Sequence, residues 1–88
     1  MRKIWSSRSW DEYVTWQTEN RKTLRRINAL IKDIERNGCL IGIGKPEELK
    51  YDLSGWYGRR IDDKNRLIYR IVNGNSLEIS QCRNHYDE

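Results

Sequence analysis

Between Lys22 and Arg36 the apolar residues Leu24, Ile27, Leu30, Ile31 and Ile34 recur at spacings of 3, 3, 1 and 3, with charged or polar residues around them. On an α-helix this spacing gathers them into one stripe, which must be covered by another element. Gly38, just beyond Asn37, is the natural stop, because glycine readily takes the left-handed conformation that ends many helices. A chain built round such a helix needs other secondary structure to pack on.

The remaining sequence supplies it. Lys3 to Trp5 reads as a short first strand. Ser9-Trp10-Asp11-Glu12 fits a capping box, in which the Ser9 hydroxyl accepts from the Glu12 N–H and the Glu12 carboxylate reaches back to the Ser9 N–H. That opens a first helix to about Glu19, with Trp10, Tyr13, Val14 and Gln17 on one side. Cys39 to Lys50, with Gly42, Gly44 and the single proline Pro46, is expected to be an irregular connection whose backbone can approach a ligand. Three strands follow, Trp56 to Ile61, Arg66 to Val72 and Leu77 to Arg83, joined by Asp62-Asp63-Lys64-Asn65 and Asn73-Gly74-Asn75 as hairpin turns. The order is β-α-α-β-β-β, an α+β chain expected to form one domain over residues 1–88.

Alternation puts Leu67, Tyr69 and Ile71 on one face of the middle strand, under the helices, and Arg66, Ile68 and Arg70 on the other. That second face is expected to be a partly open basic surface on which Arg60 and Arg66 meet, if the turn register permits. Trp5, Trp10 and Trp16 are expected to pack the helices on the sheet, although four Trp and five Tyr without any Phe imply that some rings stay half exposed.

Seventeen Lys and Arg against thirteen Asp and Glu leave a net charge of +4, which favours a polyanionic partner. The excess is clustered: six basic against two acidic residues from Arg21 to Arg36, and five against two from Arg59 to Arg70. No apolar run is long enough for a membrane span, and Met1 to Ser6 turn polar before a signal-peptide core could form, so a cytoplasmic protein is expected. Cys39 and Cys82 lack metal-site spacing and read as free thiols; no metal or cofactor is expected.

The only histidine, His85, stands beside Tyr86 and two residues after Arg83. A neutral imidazole next to a phenol and a guanidinium suits acid/base work on a charged substrate. In company with Ile4-Trp5-Ser6, Ser9-Trp10-Asp11, Trp16-Gln17, Lys45-Pro46-Glu47, Leu49-Lys50, Leu53-Ser54-Gly55, Arg59-Arg60-Ile61, Asn65-Arg66-Leu67-Ile68-Tyr69 and Cys82-Arg83, the His85-Tyr86 ending closely resembles the YoeB/Txe toxins of the RelE superfamily. The likeness runs in order from residue 1 to residue 86.

The resemblance implies an antiparallel-rich twisted sheet backed by two N-terminal helices. It also implies a toxin of a toxin–antitoxin pair that cleaves messenger RNA in the ribosomal A site and is silenced by a cognate antitoxin, with a homodimer possible. Its catalytic positions fall on Glu47, Arg66, His85 and Tyr86, with Lys50 and Arg60 as supporting cations. Such RNA cleavage needs a base for the 2′-OH, an acid for the 5′-oxygen and cations around the phosphorane, and Glu47, His85 and Arg66 have the right chemistry for those roles. Tyr86 would stack on a base or orient the phosphate.

Lys45, Lys50, Arg59, Arg60 and Arg83 are the expected phosphate-binding cations, with a structural role for Arg59 and Arg83 equally open. The basic helix is a candidate contact for ribosomal RNA. Asp87 and Glu88 add negative charge beside the expected site, which would weaken activity. Cys39-Leu40-Ile41 is more apolar than a loop requires, so the sheet edge, a second copy of the chain or the antitoxin should cover it. The alternative to an enzyme is a catalytically silent module that binds RNA or antitoxin through the same basic face.

Overall fold

Ser6 ends β1 (Arg2–Trp5) and starts α1 (Ser7–Glu19), its hydroxyl accepting from the Ser9 N–H at 3.0 Å in the computed structural model, which describes residues 1–85. The cap therefore sits three residues before the expected box at Ser9. Ser9 is buried inside the helix, where its hydroxyl donates to Ile79 O at 2.8 Å, and Glu12 Oε1 accepts from the Cys82 N–H at 2.8 Å. Both groups are used to dock α1 on the end of the sheet, a tertiary demand that overrides the local motif.

Asn20 closes α1 and opens α2 (Arg21–Asn37): its N–H donates to Trp16 O at 3.0 Å, and its side chain accepts from the Thr23 N–H at 3.1 Å. Gly38 ends α2 at φ 86°, as its position implies. Four of the five stripe residues, Ile27, Leu30, Ile31 and Ile34, are buried, and Leu24 is half-buried. No helix among the described residues is long and apolar enough to cross a membrane.

β2 (Glu47–Glu48), a 3₁₀ turn (Tyr51–Leu53), β3 (Tyr57–Arg60), β4 (Arg66–Val72) and β5 (Ser76–Gln81) complete the elements among the described residues. The five strands lie in the order β1-β5-β4-β3-β2, with β1 parallel to β5 and the other neighbours antiparallel. β2 was not expected: two residues have no periodicity, and only pairing with β3 makes them a strand.

Register assigns the faces. Trp5, Ile79, Tyr69 and Tyr57 form one row across the sheet, on the side covered by the helices. Trp16 completes that core, its indole N–H donating to Cys82 O at 3.0 Å. Trp10 departs from expectation, being 49% exposed beside Trp5 and Tyr13 at the helix edge. Both cysteines are free thiols. Burial pushes the Cys82 thiol up to about 12, and burial likewise raises that of Cys39.

Candidate active site

The open face carries a second row, Glu47, Gly58, Ile68 and Gln81, from β2 through β3 and β4 to β5. Gly58 has no side chain, so the sheet is cut down in the middle of that row. Next to it the β3–β4 register sets Arg60 directly opposite Arg66. A cleft of about 260 Å³ opens here, walled among the described residues by Lys45, Glu47, Gly58, Arg59, Arg60, Arg66 and His85. Residues far apart in sequence, from the proline loop, two strands and the end of β5, thus line one concavity.

Each is held by an identifiable device. Arg66 is 7% exposed, and its Nη1 donates to Asp62 O at 2.6 Å and Asn65 O at 3.1 Å. Asp62 contributes its carbonyl to Arg66, while its carboxylate Oδ1 accepts from the N–H groups of Lys64 and Asn65, both at 2.8 Å. Desolvation raises the Asp62 pKa, but the Asn65 side chain, those two N–H groups and the Arg66 charge outweigh it and bring the carboxyl below its ordinary value. The Asp62 carboxylate therefore favours its ionised form, and these bonds close the turn ahead of β4.

Glu47 stands on the exposed edge strand β2, delivered there by the loop after α2. Arg59 ties that loop down. Its Nη1 donates to Asp33 Oδ2 at 2.5 Å and Ile43 O at 3.0 Å, its Nη2 to Gly38 O at 2.8 Å and Ile41 O at 2.9 Å, and its Nε to the Tyr69 hydroxyl at 2.9 Å. The whole fork is engaged and the side chain is 0% exposed, so of the two roles open to Arg59 the structural one is visible here, although the residue also contributes to the cleft wall.

Arg83 likewise has a structural role. Its two Nη groups donate to the Glu19 carboxylate at 2.9 and 2.7 Å, and its guanidinium lies 4.4 Å from the Trp16 ring centroid, pinning the end of β5 to α1. Lys50, exposed at the start of the 3₁₀ turn, also stands outside the cleft wall. Tyr86 lies outside the described residues, as do Asp87 and Glu88.

Two like charges at directly opposed positions of neighbouring strands disfavour each other, a cost that a bound anion would relieve. Glu47 and His85 share the cavity with them. The cleft thus offers a carboxylate, an imidazole and two clustered cations around a space suited to a phosphodiester. Among the described residues no group of three or more His, Cys, Asp or Glu is placed to hold a metal ion.

The profile of the family described as YoeB-like toxin of bacterial type II toxin–antitoxin system matches residues 5–86. Toxin YoeB of Escherichia coli K12 is 46% identical over 86 residues, covering 98% of this chain and 100% of its own. The chain belongs to the YoeB toxin family. The YoeB/ParE toxin of Agrobacterium tumefaciens superposes with a TM-score of 0.92 at 41% identity, over 98% of this chain and 100% of that one. YoeB of Staphylococcus aureus, solved as a dimer and as a heterotetramer with the antitoxin YefM, superposes with a TM-score of 0.91 in both, at 41% and 40% identity over 98% of each chain. The α+β YoeB fold and membership of a type II toxin–antitoxin system are therefore properties of this toxin.

Three residues of the site were not foreseen: Gly58 under the cleft, and Asn65 and Gln81 beside His85. A glycine inside a strand pattern is a recognisable sign of close approach. Asn65 and Gln81 carry no such sign, since one reads as an ordinary turn residue and the other as the polar half of an alternation.

Proposed function

We propose that this toxin is an endoribonuclease that cuts messenger RNA on the ribosome without a metal ion. Glu47 takes the proton of a ribose 2′-OH, and the 2′-oxygen attacks the adjacent phosphorus. Arg66 and Arg60 bind the non-bridging oxygens, where negative charge builds in the phosphorane. The bond from phosphorus to the 5′-oxygen breaks as His85 gives that oxygen a proton, leaving a 2′,3′-cyclic phosphate and a 5′-hydroxyl. Tyr86, by the family resemblance, stacks on a base or orients the phosphate. Lys45 and Lys50 steer the RNA electrostatically.

The observation that carries this reading is the arrival of Glu47 and His85 in one cleft together with the cross-strand pair Arg60 and Arg66. The basic face of α2 suits ribosomal RNA, and a protein acting on ribosomes works in the cytoplasm. By analogy with the Staphylococcus aureus complexes, an antitoxin silences the toxin and a second copy of the chain pairs with it.

The test is cleavage of a translated message by Glu47→Gln and His85→Gln variants, with and without ribosomes. Each substitution is expected to lower the rate roughly 10²–10⁴-fold, and the wild type is expected to leave naked RNA largely intact. Binding to ribosomes without any cleavage by the wild type would contradict the enzyme and favour a silent RNA-binding module.

A further inference from the structure

After Gln81 the chain leaves the regular ladder of β5 and bends past the start of β4, bringing His85 to the cleft. Two side-chain amides hold this turn, and both are nearly buried, Asn65 at 9% and Gln81 at 7% exposed. Gln81 Nε2 faces three successive carbonyls, those of Arg83 at 2.9 Å, Asn84 at 3.2 Å and His85 at 3.4 Å. Asn65 Oδ1 accepts from the Asn84 N–H at 2.7 Å, while its Nδ2 donates to both oxygens of Asp62 at 3.1 Å. The Asn84 carbonyl also accepts from the Arg66 N–H at 3.0 Å.

Asn84 makes the bend at φ 67°, a left-handed conformation that asparagine tolerates better than most residues. The register shift between Ile68 and Tyr69 matters too, because it pairs Ile68 with Gln81 and so gives Gln81 the open face. Shifts of this kind re-aim side chains beside functional sites. Packing alone does not account for a buried amide beside Ile68, where an apolar side chain fills space without needing hydrogen bonds.

We infer that Gln81 and Asn65 are positioning residues, a latch of two buried amides that fastens the Arg83–His85 turn to β4 and sets the His85 imidazole at the cleft. Arg66 shares the latch through its backbone N–H, so the proposed acid and the main cation are held in register with each other. The kinetic consequence rests on the ribonuclease reading above; the placement of His85 does not.

The test uses the full-length protein, in which a single histidine gives one imidazole Cε1–H signal in the NMR spectrum. Gln81→Glu keeps the side-chain length but replaces the donor with an acceptor that three carbonyls repel. Its His85 signal is expected to move to the position of a solvated histidine and to sharpen, with the amides of α2 unchanged. Turnover on programmed ribosomes is expected to fall about 10²-fold at nearly constant KM, the scale of a reacting group displaced by about 1 Å. Gln81→Met, which removes the donor without repulsion, should move both readouts the same way by less.

An unmoved His85 signal and an unmoved kcat in either folded variant would overturn the latch while leaving the ribonuclease reading intact. A wild type that does not cut RNA would remove that reading, yet the NMR comparison would still decide the latch. If neither variant folds, hydrogen exchange of the wild type decides: the Asn84 amide is expected to be protected, and exchange at the open-chain rate would overturn the inference.

Discussion

Arg59 and Arg60 are adjacent in β3, and alternation along the strand sends them to opposite faces. Arg59 is buried under the loop after α2 with all of its donors in use, whereas Arg60 is exposed on the cleft opposite another cation. Arg59→Met should therefore strand Asp33 and three carbonyls, costing about 3 kcal/mol of stability in urea unfolding. Arg60→Met should leave stability level or slightly raised, because it removes a repulsion, and should slow cleavage instead. The reverse pattern would mean that the two arginines have exchanged roles. Cys82 illustrates a different consequence of burial: with its thiol pushed up to about 12 and no solvent access, it should resist alkylation at pH 8 until the protein unfolds.

The loop from Gly38 to Pro46 is the element that delivers Glu47, and it is organised by a helix residue and a strand residue together. Asp33 Oδ2 accepts from Arg59 and from the Ile43 N–H at 3.0 Å, and a side chain at Gly42 would collide with that same carboxylate at a φ of +128°. The bond from Arg59 is the main reason the Asp33 carboxyl lies below its ordinary value of 3.8; desolvation opposes it, and the Ile43 N–H, the Arg59 charge and Asn37 add to it. A carboxyl lowered on folding stabilises the native state fully above its unfolded pKa and loses that contribution as the pH falls through the folded one. Asp33→Asn should thus be less stable than wild type at pH 7, with the gap closing as the pH drops below about 4. A gap that stayed constant across that range, measured by chemical denaturation, would show that ionisation of Asp33 does not hold the loop.

Much of the molecule was legible in the chain because local and global signals agree there. β4 keeps the bounds expected from its two turns, α2 and its glycine stop follow from the apolar stripe, and the facing of Arg60 and Arg66 follows once the hairpin register is known. What the sequence left wrong or open has one cause. Ser9, Glu12, Arg59 and Arg83 are polar side chains whose partners lie far along the chain, and nothing near them in sequence tells a solvated group from one that docks a helix or pins a loop. Glu47, Arg66 and His85 are brought together at the cleft, a grouping that was expected only through the family resemblance; spacing alone could not join a loop acid to the last histidine. Leu40, Ile41 and Ile43 remain 51%, 69% and 43% exposed, so the sheet edge does not cover the apolar loop.

At the scale of the whole molecule, the helices cover one face of the sheet and leave on the other a basic cleft lined by both Glu47 and His85, the base and the acid of the proposed reaction. The most direct test replaces the bridging 5′-oxygen of the scissile linkage by sulfur, in a message read on the ribosome, because a thiolate departs without needing a proton. With this substrate His85→Gln should recover to within about tenfold of wild type, whereas Glu47→Gln should keep its loss of roughly 10²–10⁴-fold. If sulfur rescues neither variant, or both equally, the division of labour between Glu47 and His85 across this cleft is wrong.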